Sequence, residues 1–325
     1  MSSCRRLAGL FSGAHQLMLR WFQHDIDEHL LADAEHWKGA GTHPSIQRVI
    51  PLLRPNSDVA KVMRVSASLS VLARAAAKYI MRPTYLVQDD GIDYKLAALA
   101  RQNVEQEMYV RATLLMVLPE QQKERGRKGI QMVAKEVENA VGGWVPEEGR
   151  HGFSSELKSA LERMADNWSH IQGLAENVRP HWDTTYGEDW RPLPALLSAD
   201  PAETTGTQAP QKGAKGRGKQ AASKPEAAGQ KQPPPPPVGP VEVPIWPSFA
   251  YWGAGGEKPL YPGFGLSQSQ LASAEEVSRR TARKTAREER PATPVAKRGP
   301  SFLLAGASNG ASAGPSVASD DSGSA

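Results

Sequence analysis

The stretch 57–83, SDVAKVMRVSASLSVLARAAAKYIMRP, decides how this chain folds. Val59, Val62, Met63, Leu69, Leu72, Ala76, Tyr79 and Ile80 recur at the i, i+3, i+4, i+7 spacing of one helix face. Ser57 stands where a side-chain oxygen can accept from the first free amides, and Pro83 stops the segment because its ring cannot continue a helix. A long, well-capped helix with a broad apolar stripe needs other helices to cover it.

Outward from that helix the same period returns. Leu7, Leu10, Phe11, Ala14, Leu17, Met18, Trp21 and Phe22 form one stripe, and Ile26, Leu30, Ala34 and Trp37 form another behind Asp25. Leu96, Leu99, Val104, Met108, Ala112, Leu115 and Met116 predict a helix that stops before Pro119. Ile130, Val133, Val137 and Val141 follow, ended by Gly142-Gly143. Leu157, Leu161, Met164, Trp168, Ile171, Leu174 and Val178 mark the last helix before Pro180. No alternation is long enough to build a sheet. The expectation is an all-α fold, a compact bundle of five or six amphipathic helices over residues 1–197.

Beyond residue 197 the composition changes. The chain as a whole has 29 Gly and 26 Pro in 325 residues, and much of that dilution lies in the second half. Residues 201–240 hold almost no large apolar side chain, too little to offset the entropy of ordering the backbone. Residues 198–325 are therefore expected to be a disordered Pro/Ala/Gly/Ser-rich tail. Within it lie a polyproline run at 233–237, an aromatic island at 246–264 and a basic helix at 268–290.

Charge is distributed just as unevenly. Residues 201–325 carry 15 Lys/Arg against 10 Asp/Glu, whereas residues 1–200 carry 24 against 25. A cationic tail on a near-neutral body suits a polyanion, either nucleic acid or an anionic membrane surface. No apolar run reaches the ~18 residues of a spanning helix. The first 24 residues contain Arg5, Arg6 and Arg20 but no acid, which also fits a mitochondrial transit peptide. A cytoplasmic location is the leading expectation, and a mitochondrial one the alternative.

Catalytic signatures are wanting. The single cysteine, Cys4, excludes a disulfide framework or a cysteine-based zinc site. Gly213 to Lys219 satisfies the phosphate-loop spacing, but Gln220 replaces the metal-binding hydroxyl and no strand precedes it. Asp25, His29, Asp33 and His36 could share a helix face, where a solvated outer surface is the expectation rather than a metal site. The expectation is a non-enzymatic protein with no cofactor and no metal. Lys123, Arg125, Arg127 and Lys128 give the body a basic spot, read as a solvated helix end.

Binding residues are more visible. Lys212, Lys215, Arg217, Lys219, Lys224 and Lys231 are spaced by small residues and can follow a phosphate backbone while releasing counterions. Arg279, Arg280, Arg283, Lys284 and Arg287 form a second cluster at largely helical spacing, diluted by nearby glutamates. Between the clusters, Trp246, Tyr251 and Trp252 can either stack on unpaired bases or dock onto the body or a second copy.

A helical body followed by a Pro/Ala/Ser-heavy basic tail resembles the proline-alanine-serine-rich proteins of polymycoviruses. The resemblance is compositional and architectural, and no motif carries it. It implies association with a double-stranded RNA genome as a coat or nucleocapsid-like protein. The leading expectation is thus an RNA-binding protein that forms homo-oligomers, in a virion or ribonucleoprotein. The alternative is a scaffold or adaptor, organellar or nuclear, that binds protein partners through Pro233–Pro237 and the rest of the tail.

Overall fold

The computed structural model describes residues 3–47, 49–85, 91–184, 189–194, 239–253 and 256–288. The chain divides into two units, Met1–Arg283 and Lys284–Ala325, and the architecture that follows is that of the first, with the last helix running across the division. Nine α-helices are present among the described residues: α1 Ser3–Phe22, α2 Glu28–Ala32, α3 Ala34–Thr42, α4 Asp58–Tyr79, α5 Gly91–Gln102, α6 Val104–Met116, α7 Pro119–Val141, α8 Glu147–Gln172 and α9 Gln268–Glu288. Six strands join them, β1 Val178–His181, β2 Trp190–Pro192, β3 Val241–Trp246, β4 Ser248–Gly253, β5 Gly256–Tyr261 and β6 Gly263–Ser267. The described residues are mainly helical. The all-α expectation needs correcting, because two three-stranded sheets complete the fold.

Helix α4 is the axis of the body. Ser57 caps it as expected, accepting from the Ala60 amide at 3.2 Å. It is buried on nearly every side, with small side chains at Ala60, Ser66, Ala67, Ser68, Ser70, Ala73, Ala75 and Ala76. That size lets α1, α7 and β3 all approach it closely. The serine hydroxyls cost little there, since Ser66 donates to the Val62 carbonyl at 2.7 Å and Ser68 to the Val65 carbonyl at 3.0 Å. Arg64, fully buried, donates to the His24 and Pro55 carbonyls at 3.1 and 3.3 Å and pins the preceding loops to the helix. Burial draws its pKa down to about 10, so it stays cationic at neutral pH.

Close approach also decides α3 against α7. A Cβ on Gly39 would lie 2.4 Å from the Asn139 carbonyl oxygen, so no larger residue fits that crossing.

One sheet has the order β1-β4-β5, all antiparallel, and the other β2-β6-β3, with β2 parallel and β3 antiparallel to β6. The boundary expected at residue 197 is therefore misplaced. Trp246, Phe249, Phe264 and Leu266, expected in a disordered tail, belong to the same apolar core as α1, α4 and α8. Enough large apolar surface recurs after residue 240 to repay ordering of the backbone. The polyproline run at 233–237 lies outside the described residues.

Candidate nucleic-acid interface

Helix α4 ends with a row of cations at helical spacing. Arg74 and Lys78 share one face, Arg82 follows just beyond the helix, and strand β1 brings Arg179 alongside. These four side chains and Trp182 line a cleft of about 470 Å³, and Asp93 is the one carboxylate among its described lining residues.

Each cation is held differently. The Arg74 guanidinium lies over the Trp182 ring, 3.8 Å from its centroid, a geometry in which the ring quadrupole attracts the charge. Arg82 donates through Nε to Asp93 Oδ2 at 2.9 Å. Its backbone carbonyl accepts from Trp168 Nε1 at 2.8 Å and from Gln172 Nε2 at 2.7 Å, which fixes the chain where it leaves α4. Arg179 donates through Nε to Asn177 Oδ1 at 3.4 Å, while its buried Nη2 has no hydrogen-bond partner among the described residues. Burial lowers the pKa of Arg74, and burial together with nearby Arg101 lowers that of Arg179. An arginine still keeps its charge at neutral pH. Partly dehydrated guanidiniums with spare donors suit phosphate oxygens, which accept in the plane of the fork.

A second stacked pair lies nearby, with the Arg101 guanidinium 5.5 Å from the Trp252 ring centroid. Two arginine–tryptophan stacks on one body offer flat cationic surfaces of the kind on which unpaired bases stack.

Comparison of the chain with protein-family models, curated proteins and solved structures returns no match. The functional reading therefore rests on the chain's own chemistry.

The expected site residues are placed unevenly. Lys212, Lys215, Arg217, Lys219, Lys224 and Lys231 lie outside the described residues. Arg279, Arg280, Arg283 and Lys284 are exposed on α9, and Arg287 lies in its last turn. Leu271, Ala274 and Val277 turn the opposite face of α9 toward the core. Arg279 pairs with Glu275 at 3.1 Å and Arg280 with Glu276, so their charge is partly offset within the helix.

Of the aromatic residues, Trp246 is fully buried and out of reach of any base. Tyr251 and Trp252 are half-buried on β4. The Asp25, His29, Asp33 and His36 set is split between two helices and a loop. Asp25 pairs with Lys61 at 2.8 Å and Asp33 with His36 at 2.8 Å. Among the described residues no cluster of three or more His, Cys, Asp or Glu side chains is placed to hold a metal, and no helix is long and apolar enough to cross a membrane.

The sequence reading passed over the cleft. Its signal was present as Arg74, Lys78 and Arg82 at i, i+4 and i+8, but the alanine-rich stripe beside them drew the helix reading toward the core. Arg179 and Trp182 could be added only by the β1–β4 pairing.

Proposed function

We propose that this chain is a non-enzymatic RNA-binding protein that self-associates and coats its nucleic acid. The observation that carries the reading is the cleft of Arg74, Lys78, Arg82 and Arg179 around Trp182, in which Asp93 is the one carboxylate among the described lining residues. The sequence adds further basic residues, on α9 and in the Lys/Arg tract at 212–231. Contacts of this kind neutralise phosphates and carry little sequence information, so affinity should fall steeply with salt and vary little with sequence. A coat protein of the kind suggested by the proline-alanine-serine-rich composition needs those two properties.

The test is fluorescence anisotropy of labelled single- and double-stranded RNA titrated at several salt concentrations. Full-length protein is compared with a variant lacking residues 204–231 and with the double variant Arg74→Ala/Arg179→Ala. Truncation after Asp200 is unsuitable, because it removes β3 to β6 from the core. RNA binding that is absent at low salt would leave the adaptor reading in its place.

A further inference from the structure

Helix α7 carries a prominent apolar corner at one end and an aromatic cleft at the other. We infer that the corner at Met116–Leu118 of one copy seats in the Trp21–Trp144 cleft of a second copy, joining copies head to tail. The inference deepens the proposed function by naming the surfaces of self-association, and it rests on that reading only for the fact of association.

The corner is built to protrude. Met116, Val117 and Leu118 are consecutive and 74%, 44% and 51% exposed, an arrangement that natural surfaces avoid unless it is used. Leu118 sits at φ 53°, in the left-handed region that branched residues rarely occupy. Buried Gln122 holds the turn, donating through Nε2 to the carbonyls of Leu114, Leu115 and Val117 at 2.9, 3.0 and 3.0 Å. An apolar prominence fixed in advance loses little conformational entropy on docking.

The receptor lies beyond the C-terminus of α7. Trp21, Ile26, Leu30 and Trp144 line a cleft of about 440 Å³. That is ample for aliphatic side chains, since an apolar cavity of about 150 Å³ already holds a benzene-sized body. Trp144 is 3% exposed and its indole N–H has no acceptor among the described residues.

Charge complements shape. The cleft bears Asp25, Asp27 and Glu148 against Arg20, with Asp25 held by Lys61 and Arg20 by Glu156. Around the corner, Glu120 and Glu124 are bridged to Lys123 and Lys128, while Arg127 is exposed with no acid paired to it among the described residues. An apolar tip with a net basic collar thus faces an apolar cleft with a net acidic rim.

Distance excludes the same chain as occupant. The 23 residues of α7 span roughly 34 Å at 1.5 Å per residue, so the corner cannot reach the cleft of its own chain. A contact between different surfaces of identical copies is heterologous and propagates into rings or open chains.

Sedimentation velocity on nuclease-treated full-length protein tests this. The corner variant Met116→Gln/Leu118→Asn keeps a residue that tolerates the left-handed conformation, and the cleft variant Asp27→Lys/Glu148→Lys changes only exposed side chains. Each alone should self-associate at least about tenfold more weakly, with unchanged circular dichroism and thermal midpoint. Mixed in equal amounts, they should form a 1:1 dimer that grows no further, because one partner keeps the corner and the other the cleft. A monomeric wild type, variants that associate normally, or a mixture that stays monomeric would each overturn the inference. The assay contains no RNA, so loss of RNA binding with association intact counts against the proposed function alone.

Discussion

The Phe11 ring of α1 lies flat against Phe264 of β6, with centroids 3.8 Å apart and planes 3° from parallel. The first helix thus rests on the last strand, and Trp246 closes the contact edge-on, 5.8 Å from Phe11.

That closure makes residues 239–267 structural. Trp246→Ala should cost about 3–5 kcal/mol, the usual cost of deleting a buried tryptophan. Gly265→Ala should also destabilise strongly, since a Cβ there would lie 2.3 Å from the Val243 carbonyl oxygen. Urea unfolding followed by tryptophan fluorescence checks both, and wild-type midpoints would show that the strands do not belong to the cooperative unit.

The strands were illegible in the sequence for a physical reason. Their residues, VEVPIW, SFAYWG, GEKPLY and GFGLS, carry proline or glycine in every segment, which ordinarily breaks a sheet. Pro244 and Pro259 are tolerated because β3 and β5 are edge strands. Gly263 and Gly265 are required because β6 passes hard against Trp190 and Val243. Register and neighbours supply that information, and periodicity alone cannot. Most helices were legible because their stripes are long, but there are nine among the described residues, not five or six, and the one expected over Leu96–Met116 is divided into α5 and α6. In α6 the apolar period misled. It pointed to Met108 and Met116 as buried, yet both are exposed, while Glu107 and Arg111 face inward.

Glu107 and Arg111 pair at 3.0 Å in the interior. Arg111 also donates to the carbonyls of Gln172 and Ala175, and Asn177 donates to Glu107. Arg111→Met would strand a buried carboxylate and should destabilise by about 3–5 kcal/mol. Adding Glu107→Leu should recover part of that loss, although the two carbonyls remain without their donor. A double variant no more stable than Arg111→Met would show that the pair is uncoupled.

His15 makes stability depend on acid. It is 7% exposed, stacks on Phe11 at 5.3 Å, and burial holds its pKa down to about 4 from 6.5. The unfolded chain takes up a proton below about pH 6.5 that the folded chain refuses until about pH 4. Its contribution is therefore full above 6.5 and is lost as pH falls toward 4, on the order of 2 kcal/mol between pH 7 and 4.5. His15→Leu should flatten that part of the stability curve. Identical losses in both proteins would assign the effect to other groups.

The cleft and the tract at 212–231 should be separable by salt. Each phosphate released from contact lowers the slope of log affinity against log salt by roughly 0.9 on duplex RNA-like polyanions and 0.7 on single strands. Arg74→Ala/Arg179→Ala should reduce the slope by about one to two on either kind of strand. Trp182→Ala distinguishes charge from stacking. It should leave the slope nearly unchanged while weakening single-strand binding about tenfold, since stacking releases no counterions. Equal weakening on single and double strands would mean that Trp182 only supports Arg74, and an unchanged slope in the arginine variant would remove the cleft from the interface.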